Sequence, residues 1–224
     1  MVAEERQFQH FPIQHFCPVA RTLEVLGERW SFLIVRDLLR GPQRFSDLQR
    51  YLAGITPKRL TVRLRALEAA GIVEREEVPG RREVRYQLTP KGLDLRPTIE
   101  SLAAWGLDHA MAAPVPEKTY YPEQLMSAFN VLLRRRVAAP PAPVCWAIDF
   151  ADGPTYTVRH DGTRWSVRSG DALEATLRIA TTPIAWASLL AARPVDRWLS
   201  FGAMTITGDE AEVAVLRQLF GAPE

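Results

Sequence analysis

Between Arg40 and Arg65 seven basic side chains (Arg40, Arg44, Arg50, Lys58, Arg59, Arg63 and Arg65) stand against one acid, Asp47. This window carries +6, whereas the whole 224-residue chain carries +2. Concentrated guanidinium groups suit the neutralisation of closely spaced phosphates, because each can form paired, charge-assisted hydrogen bonds with phosphate oxygens. The other reactive side chains are sparser. Cys17 and Cys145 lie far apart with no CxxC or metal-like spacing, and His10, His15, His109 and His160 form no cluster with them. There is no Gly-x-Ser-x-Gly elbow, His-Glu-x-x-His pair, P-loop or dinucleotide glycine fingerprint. Asp108 and His109 are adjacent, but neighbours on a helix diverge by about 100° and do not act as a dyad. The sequence therefore points away from an enzyme and predicts no metal and no cofactor.

The elements that must hold the arginines can be drawn from their ends. Thr56 is a good N-cap, Pro57 fits the first helical position, and Gly71 supplies a left-handed residue after the last turn. Between them Leu60, Leu64 and Leu67 share one face, which is core. Lys58, Val62 and Arg65 project from the opposite side, flanked by Arg59 and Thr61, with Arg63 nearer the core edge. A shorter amphipathic helix precedes this one across a tight link, and Arg44 of the same segment is a further candidate for DNA contact. The pair reads as a helix-turn-helix. Residues 72–77 and 83–88 alternate like two strands around a turn tipped by Arg81 and Arg82, which makes a winged helix. In this arrangement Arg or Lys can read guanine edges, Thr and Val can touch a thymine methyl, and the wing arginines can reach backbone or minor groove. The expected partner is double-stranded DNA. The competing account is a solvated basic face.

Cys17-Pro18, Leu23-x-x-Leu26-Gly27-x-x-Trp30, Ile34-x-x-Asp37-Leu38, Arg44-Phe45-x-x-Leu48, Ile55-x-x-x-x-Leu60, Leu64-Arg65-x-Leu67-Glu68-x-x-Gly71 and Tyr86-x-Leu88-Thr89-x-x-Gly92 together resemble the pattern of HxlR-type winged helix-turn-helix regulators, from Phe16 to Ala110. The resemblance implies a homodimeric, sequence-specific transcription regulator, and two recognition helices in a dimer should bind an inverted-repeat operator. It also gives Cys17 a second meaning, since some proteins of this type sense oxidants or electrophiles through a cysteine in this region. A thiol at a helix entrance is placed for thiolate formation. A small buried residue packed at a dimer interface is the alternative.

Composition agrees with a cytoplasmic protein. Nearly half the residues are hydrophobic, no apolar run approaches the length of a membrane span, and Glu4, Glu5 and Arg6 occupy the place of a signal-peptide apolar core. Residues 91–111 read as one long helix with a bend at Pro97. Three prolines between Ala113 and Pro122 then interrupt the chain, and the charge balance changes from +3 over residues 1–112 to −1 over 113–224. The expected organisation is a winged helix-turn-helix DNA-binding and dimerisation domain (1–112), a linker with a connecting helix (113–140) and an α+β domain (141–224). In that last domain, strands at 144–150, 155–160, 163–168 and 173–180 form an antiparallel meander turned by Asp152-Gly153 and Asp161-Gly162, and helices cover the sheet. The whole chain is of α+β class.

The ending Thr182-Pro183, Trp186-x-x-Leu189-Leu190, Phe201-Gly202-Ala203-Met204-Thr205-Ile206-Thr207-Gly208-Asp209 and Leu216-x-x-Leu219-Phe220 resembles a sterol carrier protein type-2-like domain. That resemblance implies an apolar tunnel for a lipid or other hydrophobic small molecule. Trp146, Trp165, Trp186, Leu190, Trp198, Phe201 and Met204 are its candidate wall, although a plain core has the same composition. Three functions follow: a regulator modulated by an apolar ligand, a thiol-sensing regulator acting through Cys17, or a hydrophobe carrier whose winged helix serves assembly only.

Overall fold

The computed structural model describes residues 16–77, 80, 83–193 and 196–221. Its contacts divide the chain into two compact units, one ending at Ile99 and the other beginning at Glu100. The division falls inside a helix and not in the Pro-rich stretch after residue 112, because Leu107 packs into the core of the second unit.

The first unit contains α1 (Pro18–Leu26), α2 (Ser31–Leu38), β1 (Gln43–Arg44), α3 (Phe45–Tyr51), α4 (Pro57–Ala69), β2 (Val73–Glu77), β3 (Val84–Leu88), α5 (Pro90–Leu93) and the start of α6 (Arg96–His109). Leu60, Leu64 and Leu67 of α4 are buried with Ile34, Val35, Leu38 and Leu48. The Thr56 hydroxyl accepts from the Arg59 amide at 3.3 Å, and Pro57 follows it. At the other end Gly71 takes φ +66°, the Gly71 amide donates to Glu68 O and the Ile72 amide to Leu67 O. Those two bonds satisfy carbonyls that the last turn would otherwise leave open.

β2 and β3 pair antiparallel from Val73↔Leu88 to Glu77↔Val84. β1 adds a third strand on the other side of β3, with Gln43 opposite Tyr86 and Arg44 opposite Arg85. A two-stranded wing was expected, and two residues are too few to show alternation. The helix expected over 91–111 is two helices. Pro97 lies in the first turn of α6, where its missing N–H costs nothing, so the break precedes it at Asp94-Leu95. Thr89 donates to Gly71 O at 2.7 Å, and a Cβ on Gly92 would overlap the Ile72 carbonyl oxygen. This close approach explains the spacing Thr89-x-x-Gly92.

The second unit continues α6 and adds α7 (Pro122–Arg136), β4 (Val144–Phe150), β5 (Thr155–His160), β6 (Trp165–Ser169), β7 (Leu177–Thr181), α8 (Pro183–Ala191), α9 (Arg197–Ser200), a 3-10 turn (Phe201–Ala203), β8 (Thr205–Gly208) and α10 (Glu210–Leu219). The sheet order is β6-β5-β4-β7-β8, and β4 pairs parallel with β7. This corrects the antiparallel meander: the sheet is mixed. After β6 the chain returns through residues 170–176 and places β7 on the free side of β4, where the Thr176 amide and hydroxyl both donate to Cys145 O. Strand periodicity reports alternation but not which edge a strand joins. The last two expected strands also start later, at Trp165 and Leu177.

Val144, Trp146, Ile148 and Phe150 share one face of β4 and meet Phe129, Leu132 and Leu133 of α7, Trp186, Leu189 and Leu190 of α8, and Leu216 of α10 in one core. The opposite face is polar. There Arg178 bridges Asp149 (3.3 Å) and Asp171 (2.8 Å), and Arg159 pairs with Glu174. No helix among the described residues is long and apolar enough to cross a membrane.

Candidate nucleic-acid interface

The buried leucines of α4 decide which way its other side chains face. Lys58, Arg59, Val62 and Arg65 are exposed, Val62 at 47%. Thr61 is half-buried and its hydroxyl donates to Pro57 O at 3.0 Å. Thr56 is exposed and spent on its capping bond.

The seven cations of the basic window do not share one role. Arg40 pairs with Asp37 at 3.2 Å and lies over the Tyr51 ring at 4.6 Å. Asp37 is 1% exposed and also holds Arg36, so this group is structural. Arg63 lies 3.8 Å from Glu28, Arg50 lies 3.6 Å from Asp47, and Arg44 is ion-paired with Glu83. Lys58, Arg59 and Arg65 have no acidic partner within ion-pairing distance among the described residues. Of the seven, those not paired with an acid all lie on α4, at positions 58, 59 and 65.

Glu83 is the residue that sequence reasoning missed. Its carboxylate accepts from both Arg44 and Arg85, the latter at 2.6 Å. Those two hydrogen bonds, Arg44's first, hold its carboxyl down to about 2, and Glu83 in turn raises the Arg44 guanidinium above its ordinary value. Only the β1 pairing brings Arg44 to Arg85, and no sequence signal announces that strand. Arg81 and Arg82 lie outside the described residues.

Residues 25–114 match the HxlR-like helix-turn-helix family. An HTH-type transcriptional regulator of Synechocystis, sll1512, is 37% identical over 101 residues, which cover 44% of this chain and 73% of that protein. The HTH-type transcriptional regulator YybR of Bacillus subtilis is 38% identical over 99 residues, 43% of this chain and 78% of its own. The chain belongs to the HxlR-like helix-turn-helix family. It is a transcriptional regulator of that type. Among solved structures, the reduced form of the redox regulator HypR is 37% identical, covering 40% of this chain and 90% of that one with a TM-score of 0.38. Quinone-bound YodB from B. subtilis is 36% identical, covering 40% and 96% with a TM-score of 0.36.

The remaining candidates of this HxlR-like chain lie elsewhere. Cys17 is a free, half-buried thiol at the extended residue before α1. Trp146, Trp165, Trp186, Leu190 and Phe201 are buried in the core of the second unit, and Trp198 and Met204 pack against it. They touch one another: Trp146 and Trp165 ring centres are 5.6 Å apart, and those of Trp198 and Phe201 also 5.6 Å. A shallow cavity of about 250 Å³ in this unit is lined by other residues, among them Val144, Cys145, Arg159, His160 and Glu212. Among the described residues no group of three or more His, Cys, Asp or Glu side chains could hold a metal ion.

Proposed function

We propose that the protein is a homodimeric, sequence-specific repressor that sets two copies of α4 into the major groove of an inverted-repeat operator. The half-site centres would be roughly 34 Å apart or a multiple of that. The carrying observation is α4 itself, whose Lys58, Arg59, Val62 and Arg65 stand exposed opposite a buried leucine stripe. Dimerisation is supported by large apolar side chains left in the open, Val19 and Leu23 on α1 and Leu102 and Trp105 on α6. Selection from random duplex DNA tests the reading: an inverted repeat should be enriched, and the absence of any enriched motif removes it.

Two routes of control go with this proposal. The first is an apolar ligand in the second unit, which rests on the resemblance of residues 141–224 to sterol carrier protein type-2-like domains. It is supported by the indole N–H groups of Trp165 and Trp186, both buried and without an acceptor among the described residues. A ligand oxygen would satisfy either donor. Native mass spectrometry of protein purified without detergent should show the adduct, and its removal should move operator affinity by about 5- to 150-fold. The second route is Cys17, supported by its free thiol at the N-cap of α1. Mild oxidant should then change operator affinity in the wild type and leave Cys17→Ser unmoved.

A further inference from the structure

Arg44 on β1 and Arg85 on β3 are direct cross-strand partners, and like charges so placed repel. Glu83, next to β3, resolves the conflict. One carboxylate oxygen accepts from Arg44 Nη2 and the other from Arg85 Nε at 2.6 Å. The Glu83 side chain is 12% exposed, whereas those of Arg44 and Arg85 are 50% and 39% exposed. The anion is thus tucked between two cations that remain open to solvent. Two oxygens of one anion bridging two guanidinium groups is also the arrangement a phosphodiester takes. Arg44 is moreover the N-cap residue of α3, the helix before α4.

We propose that Arg44 and Arg85 form a clamp for one phosphate of the DNA backbone, and that Glu83 is its built-in competitor, filling the clamp in the free protein and yielding it when DNA binds. The proposal rests on the DNA-binding reading above and adds to it a residue that sets affinity. A phosphate contact carries no base information, so Glu83 lowers binding to every sequence alike and leaves the choice of sequence to α4. Its carboxyl stays ionised down to about pH 2, so the competitor is present wherever the protein meets DNA, and salt is the variable that weakens the clamp.

The test uses the full chain on its selected operator and on a scrambled duplex, each over a salt series. Glu83→Gln should bind both DNAs about 3- to 10-fold more tightly, within the range two exposed ion pairs span, with their ratio unchanged. The double variant Arg44→Ala/Arg85→Ala should bind both less tightly and flatten the salt slope by about 1, the loss of one phosphate contact. A folded Glu83→Gln protein that binds no more tightly than wild type overturns the proposal. So does a double variant with an unchanged salt slope, a result that does not depend on Glu83→Gln folding. If the unaltered protein enriches no sequence, the regulator reading falls, while the clamp is still decided on the scrambled duplex.

Discussion

Arg63 and Arg65 are two positions apart on α4, yet they differ in exposure and in partner. Arg63 is half-buried and spends its charge near Glu28, whereas Arg65 is exposed without an acidic partner among the described residues. Arg65→Ala should therefore lose about 1 to 3 kcal/mol of operator affinity if it reads a base, and relax the preferred sequence at that position. Arg63→Ala should leave affinity within about 0.5 kcal/mol, because a solvent-screened pair 3.8 Å long contributes little. Anisotropy titrations on single-base operator variants separate the two, and equal losses would sink the assignment. Glu83 gives a pH signature at the same scale. Its folded pKa, about 2, lies below the ordinary carboxylate value, so its stabilising effect is full above about pH 5 and is lost as pH falls towards 2. Thermal unfolding of wild type and Glu83→Gln should differ at pH 6 and converge near pH 2. A difference that persists unchanged into acid would mean that the pair is not what stabilises the wing.

At the scale of elements, the junction of α4, the wing and α5 is fastened by backbone proximity. Thr89 bonds to the carbonyls of Gly71 and Ile72, and Gly92 comes so close to Ile72 that a methyl group has no room. Gly92→Ala should cost about 1 to 3 kcal/mol through forced backbone movement, lowering the melting temperature of the first unit by several degrees. An unchanged melting temperature would show that the junction yields freely. The same elements show what can be read from a sequence. Both ends of α4 were legible because Thr56-Pro57 and Gly71 each answer a local requirement of a helix terminus, and Leu60, Leu64 and Leu67 fixed its inner face. β1 was not legible, since Gln43-Arg44 acquires meaning only beside Tyr86 and Arg85. The parallel place of β7 beside β4 is likewise a long-range choice that a period of two does not encode. The candidate site divides in the same way: the exposed face of α4 follows from local spacing, whereas the neutralisation of Arg44 by Glu83 spans 39 positions of chain.

For the whole molecule the question is what a second copy contributes. In the proposed complex each α4 contacts one half-site, and linking two such contacts through a dimer raises avidity by about 10²- to 10⁴-fold without a new contact to DNA. The proposed dimer therefore depends on surfaces far from any phosphate. On α6, Leu102 and Trp105 are 51% and 60% exposed, and their spacing of three puts them on one face, an apolar pair that a monomer would leave in water. Leu102→Glu adds a charge to that face and removes nothing from the buried side of α6, which is Ala104 and Leu107. It should dissociate the dimer in sedimentation velocity while leaving circular dichroism unchanged. Affinity for an isolated half-site should stay within about twofold of wild type, whereas affinity for the full inverted repeat should fall by about 10²-fold or more. Equal losses on both DNAs would point to damage in the DNA-binding unit. A variant that remains dimeric would place the interface on another surface, with the exposed Val19 and Leu23 of α1 the next to alter.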